Sequence, residues 1–164
     1  MRRHGYRLVT TWHVPAGREA VWAVLADPSM TWPQWWPGLR ATDVRPARHG
    51  LVGSRADLEL RAARWAYALR FDIEVTAASA PHRTVLAVDG DLVGTGRVDL
   101  DGVAGGTTVR LDWQVATARG WMNATAPLLA PVFAAAHARA MRAGERGLAE
   151  HLTGAGPLRG GAAR

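Results

Sequence analysis

Residues 65–77 read Trp-Ala-Tyr-Ala-Leu-Arg-Phe-Asp-Ile-Glu-Val-Thr-Ala, the clearest alternation of apolar and polar side chains in the chain. Successive side chains of a β-strand point to opposite faces, so every second residue shares a face. The alternation predicts a strand with one buried and one solvated face, which is typical of an antiparallel sheet. The residues predicted to face inward are Trp65, Tyr67, Leu69, Phe71, Ile73 and Val75.

Similar alternation predicts six other strands. They cover residues 6–14, 39–45, 53–60, 84–89, 92–101 and 107–118. The first places Trp12 inward, and the last places Trp113 inward and Asp112 outward. Between the first two strands, the sequence predicts a helix over 18–26 and a short helical turn over the Trp-rich residues 31–38. The predicted fold class is α+β, with a seven-stranded, strongly curved antiparallel sheet.

A long helix is predicted over residues 126–152, about 40 Å at 1.5 Å per residue. Gly144 and Gly147 each cost about 1 kcal/mol relative to alanine in a helix, which indicates that another backbone approaches closely. One helix about 10 Å wide does not fill a strongly curved sheet, so an apolar cavity is predicted between the two. The helix residues predicted to face the sheet include Ala134, His137 and Met141, and Phe133 is expected close to His137.

The chain of 164 residues is predicted to form one ligand-binding domain over residues 1–152, followed by a disordered tail over 153–164. It contains no cysteine. Neither a secretory signal pattern nor an apolar run of the roughly 18 residues that span a membrane is found. We therefore expect a cytoplasmic protein without stable membrane insertion. The sequence leaves the oligomeric state open.

The net charge of +6 arises from arginine alone, since the chain has no lysine. Along the predicted strands, arginine alternates with acidic residues as on a solvated face, so we expect no nucleic-acid partner. The six histidines lack a chelating spacing, and none of the serines lies in a Gly-x-Ser-x-Gly elbow. No metal, no cofactor and no serine-hydrolase chemistry is predicted.

Four segments carry a resemblance to a known family. They are residues 12–28, from Trp12-His13-Val14-Pro15-Ala16 to Asp27-Pro28; residues 32–38, Trp-Pro-Gln-Trp-Trp-Pro-Gly; residues 90–96, Gly-Asp-Leu-Val-Gly-Thr-Gly; and residues 106–148, from Gly106-Thr107-Thr108-Val109 to Gly147-Leu148. On these segments the chain resembles the START-like (helix-grip, SRPBCC) superfamily. Within it, the chain is most similar to the bacterial polyketide cyclase/dehydrase and lipid transport group.

This resemblance implies a helix-grip fold, in which the sheet wraps around the long C-terminal helix. It also implies an internal cavity for a lipid, hormone or polyketide, and some similar proteins catalyse aldol cyclisation and dehydration. Similar proteins often carry Asn just before the helix histidine, where this chain has Ala136.

The tryptophans are candidates for stacking on a flat ligand, since each ring buries roughly 150–250 Å². Core packing is the favoured interpretation for Trp22, Trp32 and Trp113. For Trp35 and Trp36 both interpretations stay open, and one of the two is expected to cap the cavity mouth because adjacent helical residues point about 100° apart. The candidate ligand-binding residues are Trp12, Trp35, Trp36, Tyr67, Leu69, Phe71, Trp113, Phe133, Ala134, His137 and Met141.

Three candidate catalytic residues would move protons if the protein is an enzyme: His137, Tyr67 and Asp91. His137 is either a general acid or base or an interior histidine bonded to a backbone carbonyl, and we expect burial to lower its pKa. The Tyr67 hydroxyl donates either to a ligand carbonyl or to a protein group. Asp91 is either a base at the cavity mouth or a residue of a hairpin turn.

The favoured hypothesis is a module that binds a hydrophobic small molecule or lipid in the internal cavity. The alternative is a polyketide cyclase/dehydratase-type enzyme that catalyses aldol cyclisation or dehydration there. Much of its rate enhancement would come from holding the polyketide substrate in a folded conformation. A protein-interaction module would need a large exposed apolar patch, for which the Trp35/Trp36 region is the candidate.

Overall fold

The computed structural model describes residues 5–61, 67–118 and 120–154, with the backbone alone over 120–130. The strands are β1 (Gly5–Val14), β2 (Leu39–Arg45), β3 (Arg55–Leu60), β4 (Leu69–Ser79), β5 (Arg83–Gly90), β6 (Leu92–Val103) and β7 (Gly106–Thr117). The helices are α1 (Arg18–Leu25), a 3₁₀ turn (Trp32–Gln34) and α2 (Gly120–Thr153). In this described part of the chain, the seven strands form one antiparallel sheet in the order β1-β7-β6-β5-β4-β3-β2. The predicted helix-grip fold is confirmed.

The predicted strand over 65–77 begins later than its sequence pattern suggests. β4 starts at Leu69, which pairs with Leu60, the last residue of β3. The described residues just before it, Tyr67 and Ala68, therefore have no partner in β3. Tyr67 precedes the strand and does not belong to its inward face, and Trp65 lies outside the described residues.

The long helix begins earlier than predicted, at Gly120. In the predicted helix over 126–152, Pro127 would lie in the first turn, where the missing N–H of a proline costs no hydrogen bond within the helix. The helix instead continues through both Pro127 and Pro131 and ends at Thr153. The disordered tail predicted over 153–164 is wrong at Thr153, which belongs to the helix, and its residues beyond Gly154 lie outside the described residues.

The C-terminal half of α2 packs on the inner face of the sheet, nearest to β1 and β7. Ala140, Met141 and Leu148 are buried there. A Cβ atom at position 147 would lie 1.8 Å from the carbonyl oxygen of Trp35, so the predicted close backbone approach is found at Gly147. At Gly144 the close neighbours are side chains instead.

Asp112 faces outward from β7 as predicted, yet it is buried. Its carboxylate accepts hydrogen bonds from Nη2 of Arg7 at 2.7 Å and from Nε of Arg7 at 3.2 Å. The arginine belongs to the neighbouring strand β1 and covers the carboxylate. The hydrogen bond with Arg7 is the main reason that the pKa of Asp112 lies below its usual range.

Candidate functional site

The inner face of the sheet is apolar across its centre. The predicted inward residues Phe71, Ile73 and Val75 of β4 are buried, and so are Leu86 and Val88 of β5. The alternation of apolar and polar residues predicted this face correctly from Phe71 onward.

One end of the inner face is less covered, where β7 finishes and β6 begins. Leu60, Leu69 and Leu92 lie at strand ends there and are only partly buried. Trp113 is also partly buried, and its ring covers Gly96, where a Cβ would lie 2.8 Å from Cζ3 of the indole. We call these four apolar residues, Leu60, Leu69, Leu92 and Trp113, the half-buried rim. Leu60 and Leu92 were not predicted as site residues, although strand alternation places them on this face.

His137 lies on the sheet-facing side of α2 with Met141, as helical phase predicted, and it is partly buried. Because α2 follows β7 directly, its N-terminal half starts at the end of the sheet that carries the rim. Nε2 of His137 is buried and has no hydrogen-bond partner among the described residues. Desolvation lowers the pKa of His137, as expected. The imidazole is therefore neutral at neutral pH.

The two helix residues predicted beside His137 differ in burial. Phe133 is partly buried, whereas Ala134 is exposed. The prediction that Ala134 lines an enclosed space is wrong, because α2 packs on the sheet through its C-terminal half, which begins after this residue.

Tyr67 and Asp91 contact each other at the same end of the sheet. The Tyr67 hydroxyl donates to Oδ2 of Asp91 at 3.2 Å, and the backbone N–H of Arg70 donates to the same oxygen at 3.0 Å. Asp91 is 3% exposed and Tyr67 is 46% exposed. Tyr67 is thus not enclosed, contrary to the prediction, because it precedes β4. Its hydroxyl group instead bonds Asp91 at the turn between β5 and β6.

Trp35 and Trp36 are both buried, at 6% and 9% exposure. Their rings stack with centroids 5.7 Å apart and an interplanar angle of 20°. Trp36 also meets the ring of Trp12 edge-on at 5.1 Å, and its indole N–H donates to the carbonyl of Ala140 at 3.0 Å. Neither residue caps an open mouth, because the rings stack beneath α2. The apolar patch expected for a protein-interaction module is therefore buried here.

Within the described residues, no three His, Asp or Glu side chains come together as a metal site. The helices of the described part also contain no stretch that is long and apolar enough to cross a membrane.

The sequence profile described as polyketide cyclase / dehydrase and lipid transport matches residues 6–153. The chain belongs to this family. No curated protein matches it.

Solved structures share the fold of this family member. A protein from Thermus thermophilus has a TM-score of 0.71 at 17% identity, covering 92% of this chain and 99% of that one. A norcoclaurine synthase point mutant from Thalictrum flavum, in complex with a transition state analogue, has a TM-score of 0.57 at 13% identity, with coverages of 92% and 98%. The di-domain ARO/CYC protein StfQ from the steffimycin biosynthetic pathway has a TM-score of 0.61 at 13% identity, with coverages of 92% and 52%. At these identities the likeness shows the fold alone.

Proposed function

We propose that the protein binds a hydrophobic small molecule or lipid between the inner face of the sheet and α2. The half-buried rim carries this proposal: four large apolar side chains at one end of the apolar inner face are only partly buried. Apolar surface of this kind, with few polar groups, is the usual composition of a small-molecule site. The ligand enters at the rim and lies along the face toward Trp12.

Two buried polar atoms indicate which polar groups the ligand contains. Nε1 of Trp12 and Nε2 of His137 are buried and have no partner among the described residues. An indole N–H only donates, whereas a neutral imidazole nitrogen donates or accepts. Because an unpaired buried polar group costs about 1–3 kcal/mol, a ligand with one or two oxygen atoms would stabilise this site.

Fluorescence titration with N-phenyl-1-naphthylamine, an uncharged apolar dye, tests the proposal. Leu69→Arg places a charge on the rim and should weaken dye binding by about tenfold or more, since a buried charge is costly. Val9→Arg is the matched control, because Val9 is exposed on the outer side of β1. Equal affinities for the two variants would refute binding at the rim.

The second candidate function is catalysis of the cyclase/dehydratase kind in the same space. It is favoured by the hydroxyl–carboxylate contact between Tyr67 and Asp91, which lies at the rim end, and by the neutral imidazole of His137. A neutral imidazole accepts a proton from carbon next to a carbonyl, and a hydroxyl donor stabilises the resulting enolate oxygen. Two proteins of the same fold are named norcoclaurine synthase and ARO/CYC.

A short poly-β-ketone supplied as substrate, with formation of an aromatic product followed by absorbance, tests this second candidate. His137→Gln should abolish turnover while the affinity for N-phenyl-1-naphthylamine changes no more than a few-fold. Tyr67→Phe should lower turnover with the same retention of dye binding. Product formation that survives both substitutions would assign the protein to binding alone.

A further inference from the structure

A second concave surface lies on the side of α2 that faces away from β1 and β7. It is an open cleft of about 950 Å³ between α2 and the neighbouring ends of β2 and β3. Its lining combines apolar residues with charged ones. The apolar part comprises Trp35, Pro37, Leu39, Ala140 and Ala143, and the charged part comprises Arg40, Glu59, Arg61, Arg139, Arg142, Arg146 and Glu150.

The helix residues of this cleft form a single stripe. Arg139, Arg142 and Arg146 follow one another at spacings of three and four residues, so they share one face of α2. That face is well separated around the helix from His137 and Met141, which belong to the site proposed above. The cleft is therefore a separate site, and its occupation does not depend on the proposed function.

Charge is unbalanced in this cleft. On the outer face of the sheet, several arginines are paired with acids: Arg55 with Glu74 at 2.8 Å, for example, and Arg97 with Asp99 at 2.9 Å. In contrast, Arg40, Arg142 and Arg146 make no ion pair with any described residue. All three residues line the cleft.

The acids of the cleft do not offset this charge. Glu59 lies 3.2 Å from Arg70 and 3.6 Å from Arg61, so its charge is already shared between two arginines. Arg70 also lowers the pKa of Glu59, chiefly through its hydrogen bond, so this carboxylate is ionised at neutral pH. The lining thus contains two carboxylates, of Glu59 and Glu150, against five arginines.

We infer that this cleft binds a small anionic molecule with an aromatic or otherwise apolar body. Arg40, Arg142 and Arg146 would hold its carboxylate or phosphate, since guanidinium groups bind both anions through paired N–H donors. The apolar body would lie against Pro37 and Ala143, the more exposed apolar residues of the lining, next to the buried Trp35, whose indole Nε1 has no partner among the described residues.

The shape of the cleft favours a small molecule over a macromolecule. Small-molecule sites have volumes of about 300–1,000 Å³, and this cleft falls within that range. Nucleic acid or an anionic membrane would be recognised by an extended basic surface, whereas the arginines here converge on the two walls of one bounded cleft.

Isothermal titration calorimetry with 2-naphthyl phosphate, 2-naphthoate and uncharged 2-naphthol tests this inference. Both anions should bind more tightly than 2-naphthol, and the tighter of the two identifies the preferred head group. The double variant R142Q/R146Q should weaken the binding of the anions by about tenfold or more and leave 2-naphthol unaffected. Raising the salt concentration should weaken only the anions.

The double variant R48Q/R110Q is the matched control, since it removes the same charge from residues outside the cleft. An equal loss of anion affinity in both double variants would show that the net charge of the protein, and not the cleft, determines binding, and it would overturn the inference. Equal binding of 2-naphthol and the anions would overturn it as well. The affinity of R142Q/R146Q for N-phenyl-1-naphthylamine should stay at the wild-type value, because that dye reports only on the internal site. If the dye does not bind the wild-type protein, the proposed function is contradicted, but the inference about this cleft is not.

Discussion

The indole of Trp36 occupies the space that a side chain at position 144 would need. A Cβ atom added to Gly144 would lie 2.5 Å from Cε2 and 2.8 Å from Cζ2 of Trp36, and 2.9 Å from Cζ2 of Trp12. The hydrogen bond from Trp36 to the carbonyl of Ala140 holds the ring in place. Glycine at this position therefore lets α2 approach the two rings that close the inner end of the concavity.

Gly144→Ala should destabilise the protein by about 1–3 kcal/mol, because the rings of Trp36 and Trp12 must move. In an open helix the same substitution would stabilise by about 1 kcal/mol, so the sign of the change is diagnostic. Urea unfolding measures it. Gly102→Ala, at a position where an added Cβ meets nothing within 4 Å, should leave stability nearly unchanged. A stabilised Gly144→Ala protein would show that the rings do not lie against the helix.

Gly96→Ala should reduce ligand binding more than it reduces stability. The added Cβ would lie 2.8 Å from the ring of Trp113, so the indole has to tilt away from the sheet and into the proposed site. We expect the affinity for N-phenyl-1-naphthylamine to fall by about tenfold. Gly102→Ala in the same strand again serves as the control. Unchanged dye affinity would place the ligand away from Trp113.

Protonation of His137 should destabilise the folded protein in mild acid. Burial lowers the pKa of this imidazole below 6.5, so the folded state binds the proton less readily than the unfolded state. Stability should be complete above about pH 6.5 and decline as the pH falls from there toward the pKa of the folded state. In urea unfolding, the free energy of unfolding of His137→Gln should not show this decline with falling pH. The control His49→Gln, which changes a residue in the exposed loop after β2, should show the same decline as the wild type. Parallel curves for the wild type and His137→Gln would indicate that the imidazole is solvated.

The contact between Arg7 and Asp112 should contribute stability that is lost only at a lower pH than the contribution of His137. Arg7 holds the pKa of Asp112 below 3.8, so its contribution is present above that pH and is lost as the pH falls through the pKa of the folded state. Arg7→Gln should therefore be less stable than the wild type at neutral pH, and the two should converge in strong acid. Arg48→Gln is the control for the loss of one charge. A difference between Arg7→Gln and the wild type that is independent of pH would exclude the ion pair as its cause.

The fold was predictable because the apolar residues of each strand and helix repeat with the spacing that its own secondary structure requires. Alternation along β4 and helical spacing along α2 need no knowledge of distant residues, and they identified the sheet, the helix and the side of α2 that carries His137. Strand ends were less predictable. Tyr67 continues the alternation of β4, but the ladder ends at Leu69, because β3 ends at its partner Leu60.

Features that depend on distant pairs could not be derived from local patterns. Asp112 is buried because Arg7, on a strand at the other end of the chain, covers it. The adjacent Trp35 and Trp36 are both buried because their rings stack together beneath α2. The stripe of arginines along α2 is visible in the sequence, but the wall that it faces comes from β2 and β3. The enclosed volume predicted between helix and sheet stays a prediction.

The location of a bound apolar molecule tests the proposed internal site most directly. Indole N–H signals in a ¹⁵N-labelled sample, assigned with single Trp→Phe variants, should be followed during titration with N-phenyl-1-naphthylamine. The signals of Trp12 and Trp113 should shift and saturate, while those of Trp22 and Trp32 on the other elements should stay in place. Absence of a saturable shift at both Trp12 and Trp113 would contradict a ligand site between the sheet and α2.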